Sequence, residues 1–339
     1  MIPNIVLDPS FFWLFHHTDT EEEVETLWKV SRPWLQGNMR NAQRVVHGKA
    51  LERLHDQGLI PAFDDIAKMV ERLNLEHVIS PHELARVIDR FLSNASSLEE
   101  VAVVEDGLFE DKSLQPDEVA NIPEGALREH SYDSLLLSAL NSCVGQRFCY
   151  AFPRLNAGAI TMDVGATVAA SVAREGIVVP ETFNHPLPIL RDPEEFRASL
   201  NPQTIWDNAS DDSEVGFAIA LAAERLSGEP LPQLIIGKKF TASLRRNQAI
   251  AGLSLSSTTL TKCAQVLVGT PGIAVNQFKY EAVGNKAAKV RKRAKDGAEA
   301  YRVHVTSGTV GLRLMLWKLP SGGWEYANVG PKNEEKIEP

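Results

Sequence analysis

The first apolar positions of the chain are unbroken: Ile5, Val6 and Leu7 run together and stop at Asp8-Pro9, which predicts a buried strand over residues 2–8. The period then changes. From Thr20 to about Leu75, Leu27, Val30, Leu51, Leu54, Ile66, Met69, Val70 and Leu73 recur at spacings of three and four, the mark of amphipathic helices. Thr18 or Thr20, with Glu22 and Glu23 behind it, reads as the helix start, and Gly58-Leu59-Ile60-Pro61 divides the region into at least two helices. Residues 77–79 read as a short strand. The next helix opens at Ser80-Pro81-His82-Glu83, with serine as N-cap, proline first in the helix and a carboxylate three positions on.

Beyond that point, residues 101–104 suggest a strand and 107–129 a polar loop with one short helix. A helix follows Ser131-Tyr132-Asp133, then a strand over 159–162, a helix over 168–174 and a closing strand over 176–180. Alternating strands and helices predict an α/β fold with a parallel sheet over residues 1–180. Residues 181–233 hold several prolines, an acidic patch from Asp207 to Glu214 and one apolar helix over 215–226, so they read as a helical connector. Residues 234–339 change style again. A strand over 234–240, helices over 241–253 and 256–269, and strands over 300–305, 311–319 and 324–330 predict a small α+β domain of two helices plus an antiparallel sheet.

Charge sharpens this division. The chain of 339 residues carries a net charge of −9, yet from Ile235 onward there are 17 Lys/Arg against 7 Asp/Glu, and before it 18 against 37. Such asymmetry points to a nucleic-acid partner for the basic part, or to two halves of complementary charge. Three cysteines without metal-ligand spacing fit a reducing compartment, and no stretch reaches the length of a membrane span. The expectation is a cytoplasmic protein without a membrane partner.

The acids suggest the chemistry. Asp8, Glu83, Asp133 and Asp163 each fall at a predicted strand end or helix start, and loops beyond the carboxyl ends of an open α/β sheet converge on one crevice. Together they are candidate catalytic and metal-binding residues, and oxygen ligands alone select Mg²⁺ or Mn²⁺. Two such cations about 3.5–4 Å apart would hold an attacking water and a leaving oxygen in line for phosphodiester hydrolysis. Glu105, Asp106 and Asp111 are alternatives to any one of the four, and Glu83 and Asp133 also fit as plain helix-end charges. Ser80 and Thr161 would orient the acids beside them. No glycine-rich loop for a nucleotide phosphate is present.

Val6-Leu7-Asp8, Ser80-Pro81-His82-Glu83-Leu84, Ser131-Tyr132-Asp133 ahead of residues 135–140, and Ile160-Thr161-Met162-Asp163 occur in an order that resembles the PIN-domain nucleases, metal-dependent ribonucleases of Rossmann-like fold. Residues 176–180 look like that family's last strand. The resemblance covers roughly residues 1–180 and implies endonucleolytic hydrolysis of RNA to 5′-phosphate and 3′-hydroxyl ends. Two departures are the long interval from Asp8 to Glu83 and an extra segment around Cys143 to Arg154.

In the basic part, Lys286, Lys289, Arg291, Lys292, Arg293 and Lys295 lie within ten positions, and Lys238, Lys239, Arg245 and Arg246 form a second cluster. Such clusters suit contact with phosphates irrespective of sequence. The order of Phe240–Arg246, two helices, Tyr301-Arg302-Val303-His304-Val305, Leu312-Arg313-Leu314-Met315-Leu316 and residues 324–330 resembles the RelE/HigB-type toxin fold over roughly residues 234–339. That resemblance implies an RNA or ribosome partner, a neutralising antitoxin or immunity partner, and Arg302, His304, Arg313 and Lys332 as candidates for the clustered basic groups that, in that family, stabilise the transition state of metal-free attack by the 2′-hydroxyl, with Arg302 and Arg313 also candidate RNA contacts. The terminal strand lacks a clear acid or base, which favours RNA binding over cleavage by this part. The combined expectation is a metal-dependent endoribonuclease, with a non-catalytic RNA- or partner-binding protein on a degenerate nuclease fold as the alternative.

Overall fold

Ile5, Val6 and Leu7 are wholly buried, and the strand they form, β1 (Asn4–Leu7), lies inside a seven-stranded sheet. The computed structural model describes residues 2–13, 18–37, 42–154, 158–228, 234–280, 289–306 and 311–339. They divide into two units, Ile2–Ser199 and Leu200–Pro339.

In the first unit β1 is followed by α1 (Ser10–Trp13), α2 (Glu21–Gln36), β2 (Arg44–Val46), α3 (Gly48–Asp56), α4 (Phe63–Arg72), α5 (Pro81–Leu92), β3 (Ser96–Ser97), α6 (Leu98–Val101) and β4 (Val104–Gln115). Next come α7 (Ala126–Cys143), β5 (Phe148–Ala151), β6 (Ile160–Ala173), β7 (Thr182–Leu190) and α8 (Pro193–Ser199). The sheet order is β3-β2-β1-β5-β7-β6-β4. Its first five strands are mutually parallel, whereas β6 runs antiparallel to both β7 and β4. Strands β2 and β3 lie to one side of β1 and β5 to the other, so chain direction across the sheet reverses there. Crevices outside the carboxyl ends of such strands are where open α/β sheets bind ligands.

Local chemistry explains most of these elements. Thr20 caps α2 by accepting from the Glu23 amide at 3.3 Å, and Val24, Leu27, Trp28 and Trp34 make its buried stripe. Ser97 and Glu100 form a reciprocal capping box around α6. Helix α7 is buried on almost every side from Leu135 to Ser142, as its run of leucines requires.

Several predicted elements are corrected. Residues 75–77 form a single 3₁₀ turn rather than a strand ending at Ile79. Of the polar stretch predicted as loop with one short helix, residues 107–115 belong to β4, an outermost strand whose polarity suits its exposed position, and three register shifts interrupt its pairing with β6. The predicted helix over 168–174 is the continuation of β6, where Thr167, Val168 and Val172 are β-branched and β4 supplies the ladder. Residues 176–180 form no strand; β7 closes the parallel set instead. Helix α7 begins at Ala126, so Asp133 sits within it and does not open it.

The second unit contains α9 (Pro202–Asn208), α10 (Asp212–Ser227), β8 (Ile235–Ile236), α11 (Phe240–Arg246), α12 (Ser256–Val268), β9 (Val275–Gln277), β10 (Glu299–His304), β11 (Leu312–Lys318) and β12 (Trp324–Pro331). Its sheet order is β8-β12-β11-β10-β9, antiparallel except for β8 against β12. Asp211 caps α10 through the Glu214 amide at 2.9 Å, and Gly228 ends it at φ +71°. One sheet face carries Tyr326, whose hydroxyl donates to the Cys263 carbonyl at 2.8 Å and whose ring meets Phe240 edge-on. The other carries a small core of Phe278, Ala298, Ala300, Met315, Trp317 and Ala327, against which Ile337 packs. The expected boundaries at 180 and 233 therefore move. Strand β7 belongs to the first sheet, and α9 and α10 belong with the second unit.

Candidate functional site

The four predicted acids occupy four different environments. Asp8 has no exposed surface; one oxygen accepts from the Ser10 amide (2.7 Å) and the Ser131 hydroxyl (3.0 Å), the other from the Tyr150 hydroxyl (2.6 Å). Burial raises its pKa against the pull of those donors. Glu83 lies in the first turn of α5 and pairs with Arg32 at 3.4 Å. Asp133 pairs with Lys112 at 2.7 Å. Asp163 is exposed on β6, where its backbone faces Gln115 and Pro186.

Among the described residues, the one group of three His, Cys, Asp or Glu with ligand atoms within 4.8 Å of one another is Glu21, Glu25 and His77, all exposed and including none of the four. The expected Mg²⁺ or Mn²⁺ centre is thus not assembled by Asp8, Glu83, Asp133 and Asp163. Asp8 is fully buried among three donors, and Glu83 and Asp133 are each compensated by a base. Ser80 and Thr161 are exposed and do not hydrogen-bond to these acids. Of the alternatives, Glu105 pairs with Arg174, Asp106 with Lys49 at 2.6 Å, and Asp111 accepts from Thr167.

Sequence reading missed the group at the end of β2. Val45-Val46-His47-Gly48 is a β-branched pair followed by a turn, but it lies in a stretch dominated by helical periodicity. His47 is 6% exposed, and neither ring nitrogen has a hydrogen-bond partner among the described residues. Its Nε2 faces the Glu99 Oε1 at 3.6 Å, and Glu99 is fixed by the amides of Gly48 (3.0 Å) and Lys49 (2.8 Å). A Cβ on residue 48 would come within 3.2 Å of Glu99 Oε2, so glycine lets the carboxylate approach. Burial lowers the His47 pKa, opposed by Glu99, Asp133 and Asp106. Burial, and then Arg53, lowers that of the neighbouring His130, which is 7% exposed and equally unpartnered. His47, Arg53, Asp106, Lys112 and Asp133 line a cavity of about 360 Å³, with Leu108 and Val172 exposed on its wall.

In the second unit, the strand register puts Ala300, Arg302 and His304 of β10 opposite Trp317, Met315 and Arg313 of β11, all on the face of the small core. Arg291 and Arg302 bracket the Phe278 ring, at 4.1 and 5.3 Å from its centroid, and Arg291 also lies 5.0 Å from that of Tyr280. None of Arg291, Arg302 and Arg313 has a carboxylate partner among the described residues, and the Arg313 Nε is buried without a hydrogen bond. Burial lowers the Arg302 pKa, and the charges of Arg313 and Arg291 lower it further.

The other predicted RNA contacts divide by environment. Lys289 and Lys295 are exposed, as is His304. Lys292 pairs with Glu299 at 3.0 Å. Arg293 is corrected to a structural role: it is buried, bonds both oxygens of Glu325 at 2.8 Å and chelates Asp296, whose carboxyl it depresses to about 2. Lys286 lies outside the described residues. Lys238, Lys239 and Arg246 are exposed, and Arg245 caps the carbonyls of Ala209 and Ser210.

Among the described residues no helix is long and apolar enough to cross a membrane. No protein family, curated protein or solved structure matches the chain.

Proposed function

We propose that this chain is an RNA-binding protein whose second unit grips single-stranded RNA by phosphate contact and base stacking. The observation that carries the reading is the grouping of Arg291 and Arg302 at the Phe278 ring, with Arg313 near enough to repel Arg302, without carboxylate compensation. Like charges held together on a sheet face are repulsive, and an anion relieves that repulsion. A phosphate backbone supplies such anions, while the exposed ring of Tyr280 offers a stacking surface that every base can use. The second unit holds 18 Lys/Arg against 13 Asp/Glu and the first 17 against 31, so the net basic charge lies with the unit that carries this face. Because the four acids lie apart, binding takes precedence over metal-dependent hydrolysis as the reading of the chain.

Fluorescence anisotropy with a short labelled single-stranded RNA tests this. The double variant R302A/R313A should bind at least about tenfold more weakly and flatten the dependence of log affinity on log salt by about 1.4, near 0.7 for each phosphate no longer neutralised. Unchanged affinity and slope in a variant with native circular dichroism would refute it. Equal affinity for DNA of the same sequence would make the ligand single strands in general.

A further inference from the structure

The carboxyl ends of the parallel strands carry chemistry that the RNA-binding face does not use. Both ring nitrogens of His47 are buried and lack a hydrogen-bond partner among the described residues, which is costly unless a guest supplies one. Glu99, pinned by two backbone amides, faces Nε2, so Nδ1 is the nitrogen for that guest to meet, after a turn of the ring that opens it to the cavity His47 lines. Such a pairing of base with orienting carboxylate is the arrangement that proton transfer needs. The same cavity presents Lys112, and also Arg53, which has no ion pair among the described residues. Lys112 is 35% exposed in its pair with Asp133, so an entering phosphate can take the carboxylate's place. Leu108 and Val172, at 61% and 55% exposure, give the wall an apolar patch suited to a nucleobase.

We propose that this cavity is an RNA-cleaving acid–base site, with His47 as general base and Lys112 as the cation that meets the charge developing on phosphorus. The proposal rests on the RNA-binding reading and assigns the first unit a catalytic role beyond it. A ribose 2′-hydroxyl gives its proton to His47 while its oxygen bonds to the adjacent phosphorus. The bond from phosphorus to the 5′-oxygen of the next nucleotide breaks, and that oxygen recovers the proton from His47 through solvent water. The products are a 2′,3′-cyclic phosphate and a 5′-hydroxyl, and no cation enters the step. Glu99 acts as a positioning residue, with Asp106, Asp133, His130, Lys49, Lys112 and Arg53 as the other charged or titratable groups around His47.

The test incubates the full chain with labelled single-stranded RNA in excess EDTA and identifies the new termini, following RNA binding by anisotropy in the same samples. Expected are cyclic-phosphate ends, an intact all-deoxy control, and a rate at least about 100-fold lower for His47→Asn. Glu99→Gln, which removes a charge that favours the imidazolium, should fold natively and shift the acidic limb of the pH–rate profile, which His47 as general base controls, to lower pH. Bound RNA that stays whole, equal cutting by His47→Asn with native circular dichroism, or cutting of the deoxy control overturns the site while leaving RNA binding intact. Loss of RNA binding in the unaltered chain overturns both readings.

Discussion

Asp8 shows how a residue that reads as catalytic can serve as a structural junction. Its side chain ties the end of β1 to the start of α1, to α7 through Ser131 and to β5 through Tyr150. Removing it leaves three donors in a buried site, and a buried group left unsatisfied costs about 1–3 kcal/mol. Asp8→Ala should therefore lower the unfolding free energy by at least about 2 kcal/mol in urea titrations. Asp163→Asn, at an exposed position, should stay within about 0.5 kcal/mol of the parent. A near-neutral Asp8→Ala would mean that the three hydrogen bonds contribute little. The sequence showed that Asp8 ends a buried strand, because three aliphatics and Asp-Pro are a local signal. Two of its three donors, Ser131 and Tyr150, come from positions more than 120 residues away, which no local pattern reports.

At the scale of elements, legibility followed burial. Strands β1, β10, β11 and β12 and helices α2 and α10 were readable because apolar period and caps agree. Strand β4 and the length of β6 beyond the predicted residues 159–162 were not, since an exposed ribbon carries polar and small residues that local pattern assigns to loop or helix. Gly165 fixes this ribbon. A Cβ there would meet the Phe183 carbonyl oxygen at 2.9 Å and the Ser113 Oγ at 3.0 Å. Gly165→Val should destabilise the first unit by about 1–3 kcal/mol through overpacking, seen as a lowered denaturation midpoint. An unchanged midpoint would show that β4 yields freely. Arg293 makes a complementary point: it was legible as charge but not as core, because Glu325 is supplied by a distant strand.

For the whole molecule, His47 and His130 dominate the expected response to mild acid. Burial lowers both pKa values, so the unfolded chain binds protons that the native chain refuses as pH drops below about 6.5. Stability is then present above the ordinary histidine pKa and lost as pH falls towards the native value, by up to about 1.4 kcal/mol per pH unit for each histidine. Asp8 works in the opposite sense. Its raised pKa means that protonation favours the native state, so its burial costs stability as pH rises through that value. Urea unfolding of the parent and of His47→Asn/His130→Asn between about pH 7.5 and pH 5.5 isolates the histidines, and the double variant should show the shallower decline. Parallel declines would mean that neither imidazole resists protonation.

The interrupted register of β4 has a consequence for how copies of the protein meet. A straight outermost strand offers its free amides and carbonyls as a template on which a second chain can lay a strand, the first step towards fibres. Here Asp111 and Lys112 fall within one of the register shifts, next to Glu110, and Asp111 adopts φ +46°. That kinked, charged margin is a poor template, so the broad sheet can end in solvent without recruiting neighbours.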